Sequence, residues 1–213
     1  MNLNDKNWGC PKKRLAREET VVSFYRQAFK RKSIEQQYWT MCGQCADGGI
    51  HPIPGCEYDH VTSSRLVKDW QFNGVEIVPE IHHANNRIKG DAHWYLGDFY
   101  ETMVAEDNLG RFHPSIINAD LLMMPENGAA YLSKILAFLT SINTRRVMVV
   151  ANVILRQRQH KFSNDDMVKF LSQNAQFNYA IEVGKWKMFP EGYVYNGTGN
   201  KRSVMGTIIF VRK

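Results

Sequence analysis

The sequence predicts an α/β fold, a doubly wound, seven-stranded and mostly parallel sheet whose last strand is antiparallel. Two observations lead to this prediction. Strand-like and helix-like segments alternate along most of the chain, which is typical of parallel sheets with crossover helices. The last two predicted strands are joined by a turn-rich stretch without helical periodicity, so we expect the final strand to pair as a hairpin.

The predicted strands are short segments rich in apolar, β-branched and aromatic residues, and several end near Gly, Pro or Asp. In chain order they are Tyr38–Cys42, Phe72–Val78, His93–Leu96, Ser115–Leu122, Val147–Leu155, Phe177–Val183 and Ser203–Val211. Val147–Leu155 is almost continuously apolar, as expected of a parallel strand that is covered on both faces. We therefore expect the strand order 3-2-1-4-5-7-6, with this segment as a central strand.

The predicted helices are recognised by apolar residues at helical spacing and by their first residues. Glu57–Trp70 and Glu80–Ile88 are expected helices, whereas the Gly- and Pro-rich segment Cys45–Cys56 is an expected loop. Pro125 stands where a helix can start, and apolar residues follow it at helical spacing. Ser163–Asp166 resembles a capping box and begins another helix.

The composition is that of a globular protein. The 213 residues are 44% hydrophobic and 23% charged, which is close to average. Four cysteines are too few for a disulfide scaffold. The longest apolar run, Val147–Leu155, is far shorter than the roughly 20 residues that span a bilayer, and the first residues show no secretory signal. We expect a cytoplasmic protein that does not enter a membrane.

Polar motifs end the second, third and fourth predicted strands: Gly74-Val75-Glu76, Gly97-Asp98-Phe99 and Ile116-Ile117-Asn118-Ala119-Asp120. In open parallel sheets, ligands bind beyond the carboxyl ends of the strands. With these motifs in this order, the segment from about Tyr38 to Val211 resembles the class I S-adenosylmethionine-dependent methyltransferases. The resemblance implies the Rossmann-like fold of that family and S-adenosylmethionine as cofactor.

The resemblance also implies a role for individual residues. Glu76 would accept hydrogen bonds from the ribose hydroxyls of the cofactor, and Asp98, followed by Phe99, would contact the adenine amine. Cys42 and Gly43 stand where the family has its glycine-rich loop. Two simpler interpretations remain open, because Glu76 can be a solvated acid at a strand end and Asp98 can cap a helix or stand in a turn.

The loop after the first strand departs from the family pattern. Family members have an acid followed by glycines spaced as GxGxG, whereas residues 40–49 read Thr-Met-Cys-Gly-Gln-Cys-Ala-Asp-Gly-Gly. The acid is missing and the glycine spacing differs, although Gly43 supplies one place for close backbone approach. A relative that kept the fold and lost the cofactor would have this pattern.

Two residues are candidates for catalysis through the same resemblance. Asp120 stands at the family's fourth motif, and Lys30 has the setting of the first lysine in the Lys-Asp-Lys-Glu set of RNA ribose methyltransferases. Arg156 and Met205 stand where that set has its second lysine and its glutamate. Asp120 can otherwise be a turn or capping residue, and Lys30 a cation at a helix end.

The cysteines leave a further possibility open. Cys42 and Cys45 form a CxxC motif, and Cys56 with His51 or His60 would complete a tetrahedral zinc site. The second CxxC of common zinc modules is missing, so ordinary thiols are the simpler interpretation. A thioredoxin-like redox motif lacks the helix that should follow it.

The charge is concentrated at one end of the chain. Residues 1–32 contain nine Lys or Arg and three Asp or Glu, a net charge of +6, and the other residues carry 18 charges of each sign. We divide the chain into a basic N-terminal arm and helix, residues 1–32, and a Rossmann-like domain, residues 33–213. Because cations that neutralise phosphates release counterions, the arm predicts a nucleic-acid partner, and a solubilising tail is the alternative.

Together these observations predict an S-adenosylmethionine-dependent methyltransferase, or a methyltransferase-like protein, that acts on nucleic acid. Two other functions remain possible from the sequence. One is a non-catalytic module that binds nucleic acid or protein on the same fold, which the altered loop at Gly43 favours. The other is a zinc-stabilised interaction protein that uses Cys42, Cys45 and Cys56.

Overall fold

The structure is a computed structural model, and it describes residues 25, 28–29, 36–41, 43–46, 48–63, 70–121, 123, 125–157, 160–161, 163–189, 194–196 and 204–213. The helices in these ranges are α1 (Glu57–Ser63), α2 (Pro79–Asn85), α3 (Phe99–Asn108), α4 (Pro125–Ser141), α5 (Asn164–Ser172) and α6 (Ala175–Gly184). The strands are β1 (Gln37–Met41), β2 (Gln71–Glu76), β3 (Ala92–Leu96), β4 (Pro114–Leu121), β5 (Val147–Gln157), β6 (His160–Lys161), β7 (Lys187–Phe189), β8 (Val194–Asn196) and β9 (Val204–Arg212).

The chain divides after Ser115 into two compact units. The first unit holds β1, β2 and β3, which are parallel and follow the order β3-β2-β1. The second unit holds β4 and β5, which are parallel, and β9, which pairs antiparallel with both β5 and β7. Its strand order is β4-β5-β9-β7.

The predicted fold class is confirmed. The strands belong to a mostly parallel sheet with an antiparallel last strand, and each unit has its part of the predicted order, 3-2-1 in the first and 4-5-7-6 in the second. The predicted central strand is β5, and Val147–Val150 are at most 1% exposed. Two short strands were not predicted. They are β6, which pairs with β5, and β8, which pairs with β9.

The sixth strand was predicted at the wrong place. Phe177–Val183 lies in helix α6, and the sixth strand of the sheet is β7. Apolar residues at every second position, from Phe177 to Val183, are typical of a strand. The helix forms instead because Asn174 caps it, accepting a hydrogen bond from Gln176 N at 2.9 Å.

The buried side of α6 explains why its period was missed. Phe177, Ala180 and Gly184 are its buried residues, and they are spaced as one face of a helix. Two of these three positions carry small residues, which give a weak apolar signal. Tyr179 and Val183, two of the residues that form the alternating pattern, lie at exposed positions. Tyr179 is 44% exposed and Val183 is 58% exposed.

Helix α3 was not predicted, because its apolar stripe is diluted by polar residues. Its buried residues, Phe99, Met103 and Glu106, are spaced as one face of a helix. The helix begins at an N-cap, Asp98, which is the signal that the sequence offered. The helix that was predicted at Pro125 is confirmed as α4, whose inward face is fully buried at Leu132, Ile135, Leu136 and Leu139.

The capping box at the start of α5 is also confirmed. Ser163 Oγ accepts from Asp166 N at 3.1 Å, and the Asp166 carboxylate accepts from Ser163 N at 2.8 Å. These hydrogen bonds lower the pKa of Asp166. The helix predicted over Glu57–Trp70 is observed as α1 up to Ser63, and residues 64–69 lie outside the described residues.

The predicted arm is described at three positions. Tyr25 and Ala28 are helical, and Tyr25 packs edge-on against Trp70 with ring centroids 5.0 Å apart. The basic residues of the arm and the boundary at residue 32 lie outside the described residues, so the division into arm and domain stays a prediction. None of the described helices combines the length and the apolar character needed to cross a bilayer.

Candidate functional site

The strands of the first unit end at one edge, which we call the carboxyl edge. Strand register places Met41 beside Val75 and Glu76 beside Leu96. Gly97 N also donates to Glu76 O at 3.1 Å. The predicted site residues Gly43, Glu76 and Asp98 follow or end these strands, so they lie together where open parallel sheets bind ligands.

Glu76 ends β2 with its carboxylate held in a fixed direction. Its Oε1 accepts from Val78 N at 2.9 Å. Burial raises the pKa of Glu76, and hydrogen bonds from the backbone N–H groups of Val78 and Ile77 and the charge of His82 oppose that rise. Because a carboxylate offers about four acceptor positions, Glu76 can accept further hydrogen bonds from a pair of hydroxyl groups.

Large apolar side chains surround Glu76 at the carboxyl edge, and the sequence did not identify them. Ile77 is 69% exposed, Val78 39% and Leu96 51%. Exposed apolar side chains beside a fixed carboxylate suit a ligand that has both a flat apolar part and hydroxyl groups. The signal was present, because these residues end predicted strands, but they were read as parts of the strands.

Asn85 organises the loop that follows β1. This residue is fully buried, and its side chain bonds three backbone groups of the loop. Its Nδ2 donates to Gly43 O at 3.0 Å, and its Oδ1 accepts from Cys45 N at 2.7 Å and from Ala46 N at 3.1 Å. The loop is thus shaped by a side chain from α2, without the family's glycine spacing.

A buried carboxylate stands against β1. Glu57, the first residue of α1, is 7% exposed, and its Oε1 accepts from Tyr38 OH at 2.7 Å and from Thr40 Oγ1 at 2.9 Å. The family resemblance places an acid just before the glycine-rich loop, and that acid is missing from this sequence. Here a carboxylate reaches β1 from the helix that follows the loop.

Asp98 has the structural role that the sequence left open. Its Oδ1 accepts from Glu101 N at 3.0 Å, so Asp98 is the N-cap of α3. Phe99 is 3% exposed and packs in the interior of the first unit. A cofactor contact by either residue stays a prediction. Cys42 and Lys30 lie outside the described residues.

Asp120 lies at the end of β4 in the second unit, within a polar row. Strand register places it beside Asn152, which itself pairs with Thr207. Asn152 Nδ2 donates to Asn118 Oδ1 at 3.0 Å, and Thr207 Oγ1 donates to Asn152 Oδ1 at 2.8 Å. These hydrogen bonds fix the amides next to Asp120. The sequence analysis did not identify Asn152 or Thr207 as residues of a site.

The thiols of Cys45 and Cys56 are buried and interact with each other. The hydrogen bond with Cys45, together with burial, strongly raises the pKa of the Cys56 thiol. Zinc binds the thiolate form of cysteine. A raised pKa keeps Cys56 in the thiol form, which disfavours zinc binding. In the described ranges no three His, Cys, Asp or Glu side chains come close enough to hold a metal ion. Cys42, the remaining member of the proposed zinc set, lies outside those ranges.

A cavity of about 680 Å³ opens at the amino ends of the strands of the first unit. Polar side chains there bond one another, since Gln37 Nε2 donates to Gln71 Oε1 at 2.8 Å and Arg111 pairs with Glu106 at 2.7 Å. Burial, helped by Glu106, raises the pKa of Tyr95 to about 12. Several polar groups at this end are thus hydrogen-bonded to one another, while Trp94 Nε1, in the lining of the same cavity, is buried without a hydrogen-bond partner among the described residues.

Comparisons with known proteins support the fold. No protein-family model matches the chain, and no curated protein sequence does. Solved structures do: the plantazolicin methyltransferase BpumL in complex with SAH has a TM-score of 0.52 and 15% identity, over 99% of this chain and 88% of that one. The same protein with a triazolic desmethylPZN analog and SAH gives 0.52 and 14%, over 99% and 89%.

A second protein of this kind is similar in structure. The plantazolicin methyltransferase BamL, also with a triazolic analog and SAH, has a TM-score of 0.50 and 11% identity, over 95% of this chain and 86% of that one. At such low identities the likeness establishes the fold. The chain therefore has the fold of the class I S-adenosylmethionine-dependent methyltransferases.

Proposed function

We propose that this chain is a methyltransferase that binds S-adenosylmethionine at the carboxyl edge of its first unit. The observation that carries the proposal is Glu76, a fixed carboxylate at the end of β2 flanked by the exposed apolar side chains of Ile77 and Val78. Two of the solved structures that are similar along nearly the whole chain are of the methyltransferase BpumL in complex with SAH. Their fold and these residues support the same ligand.

The residues at this edge match the chemistry of the cofactor. Glu76 accepts from the two ribose hydroxyls with the acceptor positions that Val78 N leaves available. The adenine ring covers the apolar surface of Ile77, Val78 and Leu96, which removes that surface from water. The loop held by Asn85 brings backbone near the cofactor at Gly43. When bound, S-adenosylmethionine supplies an electrophilic methyl group.

Asp120 is the group that we propose for the acceptor side of the reaction. It lies at the end of β4, and register places it beside Asn152, whose amide is fixed by Asn118 and Thr207. A carboxylate in this position takes the proton that the acceptor amine or hydroxyl loses as it is methylated. Lys30, which lies outside the described residues, stays a second candidate for catalysis.

The acceptor that we propose is a nucleic acid, held in part by the basic arm. Residues 1–32 carry the whole net charge of +6, which suits a partner with many phosphates. Deleting residues 1–19 removes Lys12, Lys13, Arg14 and Arg17 and is expected to flatten the log–log salt dependence of binding by about 3 if all four contact phosphates. Transfer of labelled methyl groups to RNA, DNA or peptide identifies the acceptor class directly.

Calorimetry with S-adenosylmethionine and SAH tests the cofactor site. Glu76→Gln keeps the shape of the side chain and removes its charge, so we expect affinity to fall by about 1.5–3 kcal/mol, roughly 10- to 150-fold. The matched control is Glu80→Gln, which removes an exposed carboxylate from the first turn of α2 and is expected to leave affinity unchanged. Equal affinity in both variants would exclude Glu76 as the ribose acceptor.

The pH dependence gives a second measurement on the same residue. Because burial raises the pKa of Glu76, the carboxylate takes up a proton at a higher pH than a solvated glutamate does. Cofactor affinity is expected to fall as the pH drops through this pKa, and Glu76→Gln should abolish that dependence. A raised pKa also means that the charged group costs stability above it, so the variant should unfold at the same or a higher temperature at neutral pH.

The non-catalytic module is the second candidate, and the loop after β1 favours it. Gly43 is followed by Gln44, Cys45 and Ala46 rather than by the glycines with which the family's loop approaches the cofactor. If neither S-adenosylmethionine nor SAH binds the full chain in calorimetry or raises its melting temperature, the fold serves binding alone and the methyltransferase proposal is wrong.

A further inference from the structure

A group of cations lies at one edge of the second unit. We call it the basic edge, and its members are Arg145, Arg146, Lys185, Lys187, Arg212 and Lys213. Five of them are exposed, and Arg212 is partly buried. The segments that carry them, residues 143–147, 184–189 and 210–213, contain no Asp or Glu, and Glu182 on α6 precedes the second of them.

Strand pairing brings these three segments side by side. Val147, which follows Arg146, pairs with Arg212, and Lys187 pairs with Val211. Neighbouring strands are about 4.8 Å apart, so these cations lie at neighbouring strand ends. Because Lys187 pairs with Val211, its side chain lies on the face of the sheet opposite that of Arg212. Burial and the charge of Arg145 lower the pKa of Arg212, as expected where cations are neighbours.

Arg212 is fixed in this surface by hydrogen bonds. Its Nη1 donates to Leu139 O at 2.9 Å and its Nη2 donates to Asn143 Oδ1 at 3.3 Å. The guanidinium thus lies between the end of α4 and the start of β5. Arg146 and Lys185 also belong to the basic edge. Among the described residues they have no comparable structural role, and their backbone is strained.

The backbone of the basic edge is unusual. Among the described residues other than glycine, three have positive φ: Asn143 at 53°, Arg146 at 57° and Lys185 at 56°. All three belong to the segments of the basic edge. Asn tolerates this left-handed conformation, whereas Arg and Lys do not favour it, and Gly is the usual residue at the end of a helix such as α6. Gly would adopt this conformation at residues 146 and 185 with less strain than Arg and Lys do.

Exposed aromatic rings accompany the cations. Tyr179 on α6 is 44% exposed and Phe189 on β7 is 39% exposed. The phenol of Tyr179 is near enough to Arg212 to act on its pKa, and Phe189 is two residues from Lys187, on the same face of β7. Cations that follow a phosphate backbone, combined with aromatic rings on which bases stack, are typical of surfaces that bind single-stranded nucleic acid.

We propose that the basic edge binds single-stranded nucleic acid, with phosphates on Arg145, Arg146 and Lys185 and a base stacked on Tyr179. An acidic protein would use the cations and leave the exposed ring of Tyr179 without a function, so this ring favours nucleic acid. This inference goes beyond methyl transfer, because it requires neither cofactor nor catalysis.

The position of the basic edge indicates an anchoring role. It lies at the amino end of β5, whereas Asp120 pairs with Asn152, five residues further along that strand. At about 3.3 Å per residue this separation is roughly 17 Å. A nucleic-acid strand bound at the basic edge is therefore held at a distance from Asp120. The basic edge does not itself present a base or ribose to that residue.

The test uses fluorescence anisotropy with the full chain and a labelled single-stranded oligonucleotide. In the double variant Arg146→Gly/Lys185→Gly, the new residues suit the positive φ, so the melting temperature should stay equal or rise. Loss of two phosphate contacts should flatten the log–log salt slope by about 1.4. The matched control, Arg87→Gln/Lys89→Gln, removes the same charge from two exposed residues of the first unit and should keep the slope of the parent.

A second pair of measurements separates nucleic acid from other polyanions. Tyr179→Ala should weaken binding of the single strand by roughly fivefold or more, since each stacked base contributes substantially, and should not change binding of poly-glutamate. Four results overturn the proposal. They are no binding by the parent, a glycine variant that keeps the parental slope, an equal loss in the control variant, and poly-glutamate binding as tight as oligonucleotide binding at the same salt concentration.

Calorimetry with SAH on Arg146→Gly/Lys185→Gly keeps this proposal separate from the methyltransferase proposal. The basic edge belongs to the second unit and Glu76 to the first, and our cofactor proposal uses no residue of the basic edge, so the variant should bind SAH with the affinity of the parent. A protein that binds SAH and no oligonucleotide would refute the basic edge and the nucleic-acid acceptor but leave the cofactor site standing, and one that binds oligonucleotide and no SAH would refute the cofactor site alone.

Discussion

The interiors of the two units are packed in different ways. The interior of the first unit is aromatic, with stacked pairs such as Tyr38 with Phe72 and Trp39 with Tyr95, whose ring centroids are 5.8 Å and 5.4 Å apart. The interior of the second unit is mostly aliphatic, and its central strand is almost fully buried from Val147 to Ala151. The first unit also buries polar side chains whose partners lie in other elements, as Asn85 and Glu57 do.

This difference bears on the candidate cofactor site. Aliphatic side chains stabilise by burial and are not directional, and in the second unit the hydrogen bonds among Asn118, Asn152 and Thr207 add directional contacts near Asp120. Hydrogen bonds and ring contacts depend on direction, so the first unit can hold a loop such as that at Gly43 in one shape. The candidate cofactor site lies in the first unit, where small changes in packing should alter binding as well as stability.

The largest effect is expected from a cavity in the aliphatic unit. Leu136→Ala removes a fully buried side chain from α4 and should cost about 2–5 kcal/mol of unfolding free energy, measured by urea denaturation. Cofactor affinity should not change at temperatures where the variant is folded. The control is Leu109→Ala, because Leu109 is 62% exposed, and its cost should be about 0.5 kcal/mol or less.

A pair of glycine substitutions compares the two units directly. In the first unit, a Cβ on Gly74 would lie 2.6 Å from Trp94 Cζ3 and 3.2 Å from Phe72 Cε1. Gly74→Ala should therefore cost about 1–3 kcal/mol through overpacking, and it should weaken cofactor binding because Glu76 is two residues away on the same strand. Thermal unfolding and calorimetry measure the two effects.

The matched substitution in the second unit should have the opposite sign. A Cβ on Gly128, within α4, meets Val153 Cγ1 at 3.6 Å, which is an ordinary contact. Gly128→Ala should raise stability by up to about 1 kcal/mol, since alanine favours a helix. If both substitutions destabilise equally, the close packing of Trp94 on Gly74 does not distinguish the two units.

The sequence predicted those parts of the fold whose pattern is local and strong. The continuous apolar run that became β5 and the helical stripe from Leu132 to Leu139 each show their period within one element. Helix α6 was misread because Ala180 and Gly184, on its buried face, are too small to mark the helical period, while exposed apolar residues alternate. In that helix, contacts with the rest of the unit override the local pattern.

Residues of the candidate site could be predicted from the sequence where their position at the end of a strand is enough to identify them. Glu76 and Asp98 follow from strand ends alone, and both lie at the carboxyl edge. The side chains that shape the site were not predictable, because their partners are far apart in sequence: Glu57 bonds Tyr38, Asn85 bonds Cys45 and Asn152 bonds Asn118, across 19, 40 and 34 residues. No periodicity in the sequence connects such pairs.

The smallest effect is expected at Asp98, and it separates two roles of one carboxylate. As the N-cap of α3, Asp98 accepts from Glu101 N at 3.0 Å. Asp98→Ala removes the cap and should cost about 1 kcal/mol of unfolding free energy. Asp98→Ser keeps a capping oxygen, so its stability should match that of the parent, but its shorter side chain no longer reaches a cofactor amine.

The cofactor affinities of these two variants decide between the roles. If Asp98 also contacts the adenine amine, calorimetry with SAH should show weaker binding for Asp98→Ser although its thermal unfolding is unchanged. If Asp98 only caps α3, Asp98→Ser should bind like the parent and only Asp98→Ala should lose stability. Because Phe99 follows Asp98 into the interior of the first unit, loss of the cap should also loosen the end of β3, and Asp98→Ala should then lose some affinity even without an adenine contact. The serine variant is therefore the decisive one, since it changes the reach of the side chain and leaves the helix start intact.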